Sequence, residues 1–297
     1  MLKGSVGTDL DDADEEELLL LISGMGMTQQ VEGGGTEYWV GEQVGECVSD
    51  LQRYVRRDDP FSMKTHRALG TWRTLQSHLL PMLRAKANDH KLVFEVLKLV
   101  VKLTMKPEQL GAKMVDQLRE KKNPDTVVGK HMHELQTHHR AYKKEFARED
   151  TMGTLVRLLA RPLAKPEAQR SDEETQTIEL VLALLLNLLY TAPPDAAPPE
   201  HSQLNDALQD TVVLRKLLVA LHKEHGLDLL MYITQQARAC AWCMGKGHGH
   251  GHGAWAWAWS MGTVHVHSAC TSRSRSGTRR SLARHMRPVC LRAGKHG

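Results

Sequence analysis

Apolar residues recur along most of this chain at the three- and four-residue steps of an α-helix. Val44, Val48, Leu51 and Val55 form one such stripe, which Asp58-Asp59-Pro60 should end. Met63, His66 and Leu69 mark the next helix. Trp72, Leu75, Leu79, Met82 and Leu83 follow Gly70. Pro81 should interrupt that segment, because it lacks an N–H and crowds the preceding turn. Leu92, Val93, Val96, Leu97, Val100 and Leu103 give the cleanest amphipathic helix. Asp89 is placed to cap it and Pro107 to open the next element.

Asn123-Pro124-Asp125 predicts a break, and a long polar helix then runs through Met132, Leu135, Tyr142 and Phe146. Met152, Leu155, Val156 and Leu159 form another, ended by Pro162 and Pro166. Ser171 and Glu174 have the spacing of a capping box. The helix after them, Ile178 to Tyr190, is apolar nearly all round, which predicts burial on most sides. Pro193-Pro194 and Pro198-Pro199 read as a linker. Val212 to Leu221 and Leu229 to Ile233 continue the helices across a turn at Gly226. Near the start, Leu18 to Ile22 lie behind acids suited to a helix N-terminus. Gly24 and Gly26 should stop that helix, and Gly33-Gly34-Gly35 reads as a flexible loop. The pattern predicts about ten helices and no strand. It is an all-α fold, an α-solenoid of the HEAT or armadillo kind with degenerate repeats.

Composition agrees: only 5% of the 297 residues are aromatic, and Leu and Val carry most of the apolar content. No window supplies the roughly 18 consecutive apolar residues of a membrane span. The acidic start lacks the basic region of a secretory signal. Five scattered cysteines suit a reducing compartment. The formal charge of +4 conceals a strong profile. Residues 1–50 balance to −11, residues 51–150 to +9, residues 151–244 to −3 and residues 245–297 to +9. Asp228 is the last acid.

The final block is a different kind of sequence. Gly247 to Gly253 reads Gly-His repeated, and Ala254 to Trp259 reads Ala-Trp repeated. One hexanucleotide, GGGCAT, encodes Gly-His in one frame and Ala-Trp in another. Its remaining frame gives Met-Gly, present at Met244-Gly245 and Met261-Gly262. A slipped microsatellite accounts for all three, so a retained intron or frameshift near Met244 is the expectation. A continuous supported exon through codon 297 would end it. Two functional readings rank lower: a metal tract of His248, His250 and His252, and a nucleic-acid tail from Arg273 to Arg287. The expected organisation is an acidic disordered segment over 1–16, a helical domain over 17–243 and a disordered low-complexity tail over 244–297.

The sequence holds no phosphate loop, nucleophile elbow or zinc-protease motif. Cys240 and Cys243 have CxxC spacing without a second pair, and read as structural or incidental thiols. His131, His133, His138 and His139 cluster, but with no Cys or acidic pair to complete a tetrahedral site they read as a solvated polar face. No residues support an enzyme, a cofactor or a small-molecule substrate. The positive signal is basic: Arg53, Arg56, Arg57, Lys64, Arg67 and Arg73 fall within 21 residues. Scattered cations are usually a solvated surface. The functional alternative is a patch facing duplex phosphates, since aromatics for stacking single-stranded bases are absent.

Several segments resemble the N-terminal region of the Timeless family. CVSDLQRYVRRDDP (Cys47 to Pro60) is similar to the family's acid-ended basic helix. HRALGTWRTLQSHLLPMLRA (His66 to Ala85) matches its Arg-x-x-Leu-Gly segment and Leu-Leu-Pro-x-Leu. KLVVKLTMKPEQL (Lys98 to Leu110), AYKKEFARED (Ala141 to Asp150) and IELVLALLLNLLYTAPP (Ile178 to Pro194) follow in order, and ELLLLISGMG (Glu17 to Gly26) sits at the family's first helix. Lys102 and Met105 depart from the usual Asn and Gln. The resemblance ends near Ala239, whereas family members run far longer.

The resemblance implies a right-handed armadillo-like fold and a nuclear, non-catalytic scaffold of the replication fork protection complex. Such a scaffold pairs with the small partner Tipin, travels with the replicative helicase, contacts parental double-stranded DNA and supports checkpoint signalling. A generic α-solenoid adaptor, including a clock-type relative, is the alternative.

Overall fold

A computed structural model of the chain describes residues 9–31, 34–121, 127–190 and 201–245. Among them the protein is mostly helical. The elements are α1 (Asp12–Gly24), β1 (Gly26–Val31), β2 (Gly35–Val40), α2 (Val44–Arg57), α3 (Lys64–Thr71), a π-helical turn (Leu75–Leu79), α4 (Leu80–Ala85) and α5 (His90–Leu103). There follow α6 (Pro107–Leu110), α7 (Ala112–Lys121), α8 (Val127–Phe146), α9 (Glu149–Leu163), a 3-10 turn (Glu167–Gln169), α10 (Asp172–Leu189), α11 (His201–Lys223) and α12 (Gly226–Gly245). No helix of the described residues is long and apolar enough to cross a membrane. The break at Asn123-Pro124-Asp125, the Pro193 to Pro199 segment and the repeats beyond residue 245 lie outside the described residues.

The predicted stripes become the core. Val48, Leu51 and Val55 of α2 and Val96, Leu97 and Val100 of α5 are buried in one cluster with Val181, Leu184 and Leu188 of α10. α5 packs against both α2 and α10, α10 also against α9, and α8 against α3 and α11. Asp89 caps α5 by accepting the Leu92 N–H at 3.1 Å. Ser171 and Glu174 form the reciprocal capping box that opens α10. Pro81 sits in the first turn of α4, directly after the π-helical turn. That wider turn accommodates a residue with no N–H to give. A smaller apolar cluster, rich in methionine, joins Met63, Met114, Met132 and Leu135.

Two expectations are corrected. The stretch expected as a loop, of which Gly33 lies outside the described residues, is flanked by paired strands: β1 and β2 pair antiparallel, with Met27 opposite Trp39 and Gln29 opposite Glu37. Thr28, Val31, Thr36, Tyr38, Trp39 and Val40 are β-branched or aromatic and flank a glycine turn, which is a hairpin signature. Gly26, at φ +136°, and Gly41 have no room for a Cβ against the facing backbone, so glycine there lets the hairpin close on α1. The acidic segment expected to be disordered through residue 16 is helical from Asp12. Asp12, Asp14 and Glu15 occupy the first turn, where the helix dipole favours them.

Candidate nucleic-acid interface

Arg53, Arg56 and Arg57 lie on the C-terminal half of α2, all exposed. The helix steps of three and four place Arg53 beside Arg56 and Arg57, opposite the buried Val48–Leu51–Val55 stripe. Arg53 is 60% exposed and donates to Asp50 at 2.6 Å. Arg56 donates Nε to the Gln52 carbonyl at 3.2 Å. Both guanidiniums keep most of their donors facing water.

The chain then turns at Asp58-Asp59-Pro60. Asp58 is buried and accepts the backbone N–H groups of Thr65 (3.0 Å) and His66 (2.9 Å) as well as His66 Nδ1 (2.6 Å). It thereby supplies the acceptor that the first turn of α3 needs. Met63 precedes that turn in the left-handed region, at φ 49°. Asp59 accepts the Phe61 N–H and the Ser62 hydroxyl, and these bonds hold its carboxyl below the usual carboxylate range.

Lys64 is half-buried at the start of α3, and Arg73 is exposed two residues beyond its end. An eight-residue helix is about 12 Å long, so these two cations stand a helix apart. Arg67 is not on the surface. Its side chain is 10% exposed, with Nε donating to Glu134 at 2.6 Å and Nη1 to Asp9 at 3.0 Å. The Thr71 hydroxyl donates to Glu134 as well. Of the six basic residues singled out in the sequence, four are exposed and Arg67 belongs to the interior.

Sequence reasoning missed a neighbouring row. Lys91, Lys98 and Lys102 share the outer side of α5 with Glu95, at steps of four, three and four. Gln52 of α2 donates to the Glu95 carbonyl (2.8 Å) and carboxylate (3.1 Å), which ties this row to the Arg53–Arg56 edge. Lys98 pairs with Glu95 at 2.7 Å and lies 4.7 Å over the Phe94 ring. The spacing of Lys91, Lys98 and Lys102 opposite the apolar stripe was the available signal. On the other flank α1 packs against α2 and contributes acids. Tyr54 is pushed up to about 12, mainly by its hydrogen bond to Glu17.

The histidines of α8 are not a solvated face. His139 is buried and His131 and His138 nearly so, while His133 is exposed. Burial lowers all three, His139 to about 3. No group of three or more His, Cys, Asp or Glu among the described residues could hold a metal ion.

These elements lie within a stretch that known proteins share. The family profile described as Timeless protein matches residues 37–244. The chain belongs to the Timeless family. It is 30% identical to the protein timeless homolog of Mus musculus and 28% identical to that of Homo sapiens, each over 228 residues. Both alignments cover 77% of this chain and 17% of the relative, so the chain spans about a sixth of the length of these Timeless proteins. The matched region takes in both basic rows, the Asp58 turn and the Arg67–Glu134 pair, while Asp9 lies before it.

Proposed function

We propose that this chain provides the N-terminal helical scaffold of a replication fork protection complex, with the α2–α5 basic surface contacting duplex DNA. The Timeless match from α2 through α12, bearing a double row of cations of which Arg53, Arg56, Arg57, Lys91 and Lys102 are exposed, carries this reading. The helices act as a right-handed armadillo-like solenoid, consistent with α2, α5, α10 and α9 each packing on the next. The scaffold is non-catalytic and nuclear, and works with a Tipin-like partner and the replicative helicase in checkpoint support. Residues 17–243 form the working domain and the repeat-rich tail after Met244 takes no part.

The DNA contact comprises Arg53, Arg56, Arg57, Lys91, Lys98 and Lys102, with Lys64 and Arg73 at the margin. Arg67 is excluded by its two carboxylates. A row of cations against phosphates gives affinity without sequence preference and a strong salt dependence. Changing Arg53, Arg56 and Arg57 to Glu should weaken duplex binding and flatten its salt slope by about one unit per lost phosphate contact. An electrophoretic shift series across salt concentrations reads both, and unchanged affinity and slope reject the contact. The alternative, an α-solenoid adaptor or clock-type relative without a DNA role, predicts no duplex binding by the parent chain. It also predicts no co-purification with a Tipin-like partner and helicase.

A further inference from the structure

We propose that the outward face and open edge of the β1–β2 hairpin dock a basic, extended peptide segment of a partner protein. The reading is independent of the DNA surface. The hairpin is held to the body by one face only. Tyr38 is buried there, its hydroxyl 3.1 Å from His78 Nδ1, and α4 packs against β2.

The pairing register puts Met27 opposite Trp39, Gln29 opposite Glu37 and Val31 opposite Gly35 on the other face. Met27 and Trp39 are each 58% exposed and Val31 44%. A tryptophan in water beside a methionine and a valine is the composition of an interface anchor. β1, Gly-Met-Thr-Gln-Gln-Val, is exposed at every residue from Met27 onward. The sheet has two strands, so the outer edge of β1 has no ladder partner among the described residues. Edge strands are normally guarded by lysine, proline or a bulge. This one carries no charge and no proline.

Charge selects the occupant. No Lys or Arg occurs between Lys3 and Arg53. Glu37 stands on the outward face itself, and Glu42 and Glu46 are exposed just past β2. A second copy pairing edge to edge would bring like charges together. A cationic strand gains on three counts: main-chain bonds along β1, apolar contact with Met27 and Val31, and a guanidinium or ammonium over the Trp39 ring. The carboxylates speed its encounter.

The test is fluorescence anisotropy of the full chain with a labelled eight-residue peptide of alternating Arg and Val. An equally charged peptide with two valines replaced by proline, and a Glu–Val peptide, serve as comparisons. The Arg–Val peptide should bind about tenfold or more tightly than either, and Trp39→Ala should cost about tenfold. Met27→Ser should weaken binding similarly, which keeps the test open if Trp39→Ala misfolds. Arg53→Gln should leave peptide affinity unchanged. Equal binding of the proline-containing peptide, or no loss in either hairpin variant, overturns the proposal. So does self-association that Trp39→Ala abolishes while no peptide binds.

Discussion

Helix α8 buries cations at two places, and it treats them differently. Toward its N-terminal half, Glu134 meets Arg67 of α3, which Asp9 clamps from the other side, with His131 also 3.2 Å from Asp9. Toward its C-terminal half, Lys143 is buried with its ammonium 2.5 Å from the Tyr190 carbonyl, at the C-terminal end of α10. His139 lies nearby, its Nε2 buried without a hydrogen-bond partner among the described residues. The first charge is balanced by carboxylates. The second faces helix-end dipoles and the more distant Asp210 and Glu108, and burial lowers the Lys143 ammonium. A buried charge with formal partners becomes a fixed joint. One whose direct partner is a carbonyl, with carboxylates only at a distance, is a tolerated cost that an apolar group could remove.

The largest expected effect breaks the joint. Glu134→Ala leaves Arg67 buried with only the Asp9 carboxylate and the Ser62 carbonyl among the described residues, and should cost about 3 kcal/mol in urea unfolding. Asp58→Ala acts on the adjoining turn. It removes both the acceptor for the first turn of α3 and the partner of His66, and about 2–3 kcal/mol should be lost by the same measurement.

The pH response probes the other end. His139 falls from 6.5 in the unfolded chain to about 3 in the fold, so the unfolded state takes up a proton first as pH drops. Stability from this group is complete above pH 6.5 and declines toward pH 3, at up to about 1.4 kcal/mol per pH unit. His139→Phe should therefore flatten the parent's loss of stability between pH 6.5 and 4, read from thermal midpoints in a pH series. An unchanged slope would mean that His139 is solvated. The smallest effect sharpens the contrast. Lys143→Met keeps the stem and deletes the charge, and should be neutral or stabilising by about 1 kcal/mol. A loss as large as that of Glu134→Ala would show that the two cations are equivalent after all.

Local signals were legible. The α5 stripe with Asp89 and Pro107, the capping box at Ser171 and the interruption at Pro81 all depend on neighbours within one or two turns, whereas α10, apolar nearly all round, buries Ile178, Val181, Leu184, Leu185 and Leu188 but leaves Leu186 57% exposed. The hairpin was hidden because three glycines suggested flexibility, while the β-forming residues that flank them sit in short runs beside strong helices. Arg67 was misplaced for a different reason. Its partners are Asp9 and Glu134, 58 and 67 residues away, and no local pattern marks an arginine for the interior. The same distance effect hid the histidines of α8. Their neighbours lie far along the chain, Gly70 against the His138 ring, Asp9 beside His131 and the Thr104 and Asn187 backbones beside His139, which periodicity in a polar helix does not reveal. Charge blocks were visible as composition, yet the fold partly undoes them by laying α1 against α2 and Asp9 against Arg67.

That clasp also has a place in time. Asp9 reaches His131 across 122 positions of chain, and closing so long a loop costs entropy that the packed helices between them must first offset. A contact that closes so long a loop is expected to form late, on the native side of the folding barrier. Removing it with Asp9→Asn should leave the refolding rate nearly unchanged and accelerate unfolding. The acidic start of the chain then acts as a latch on the native state's lifetime.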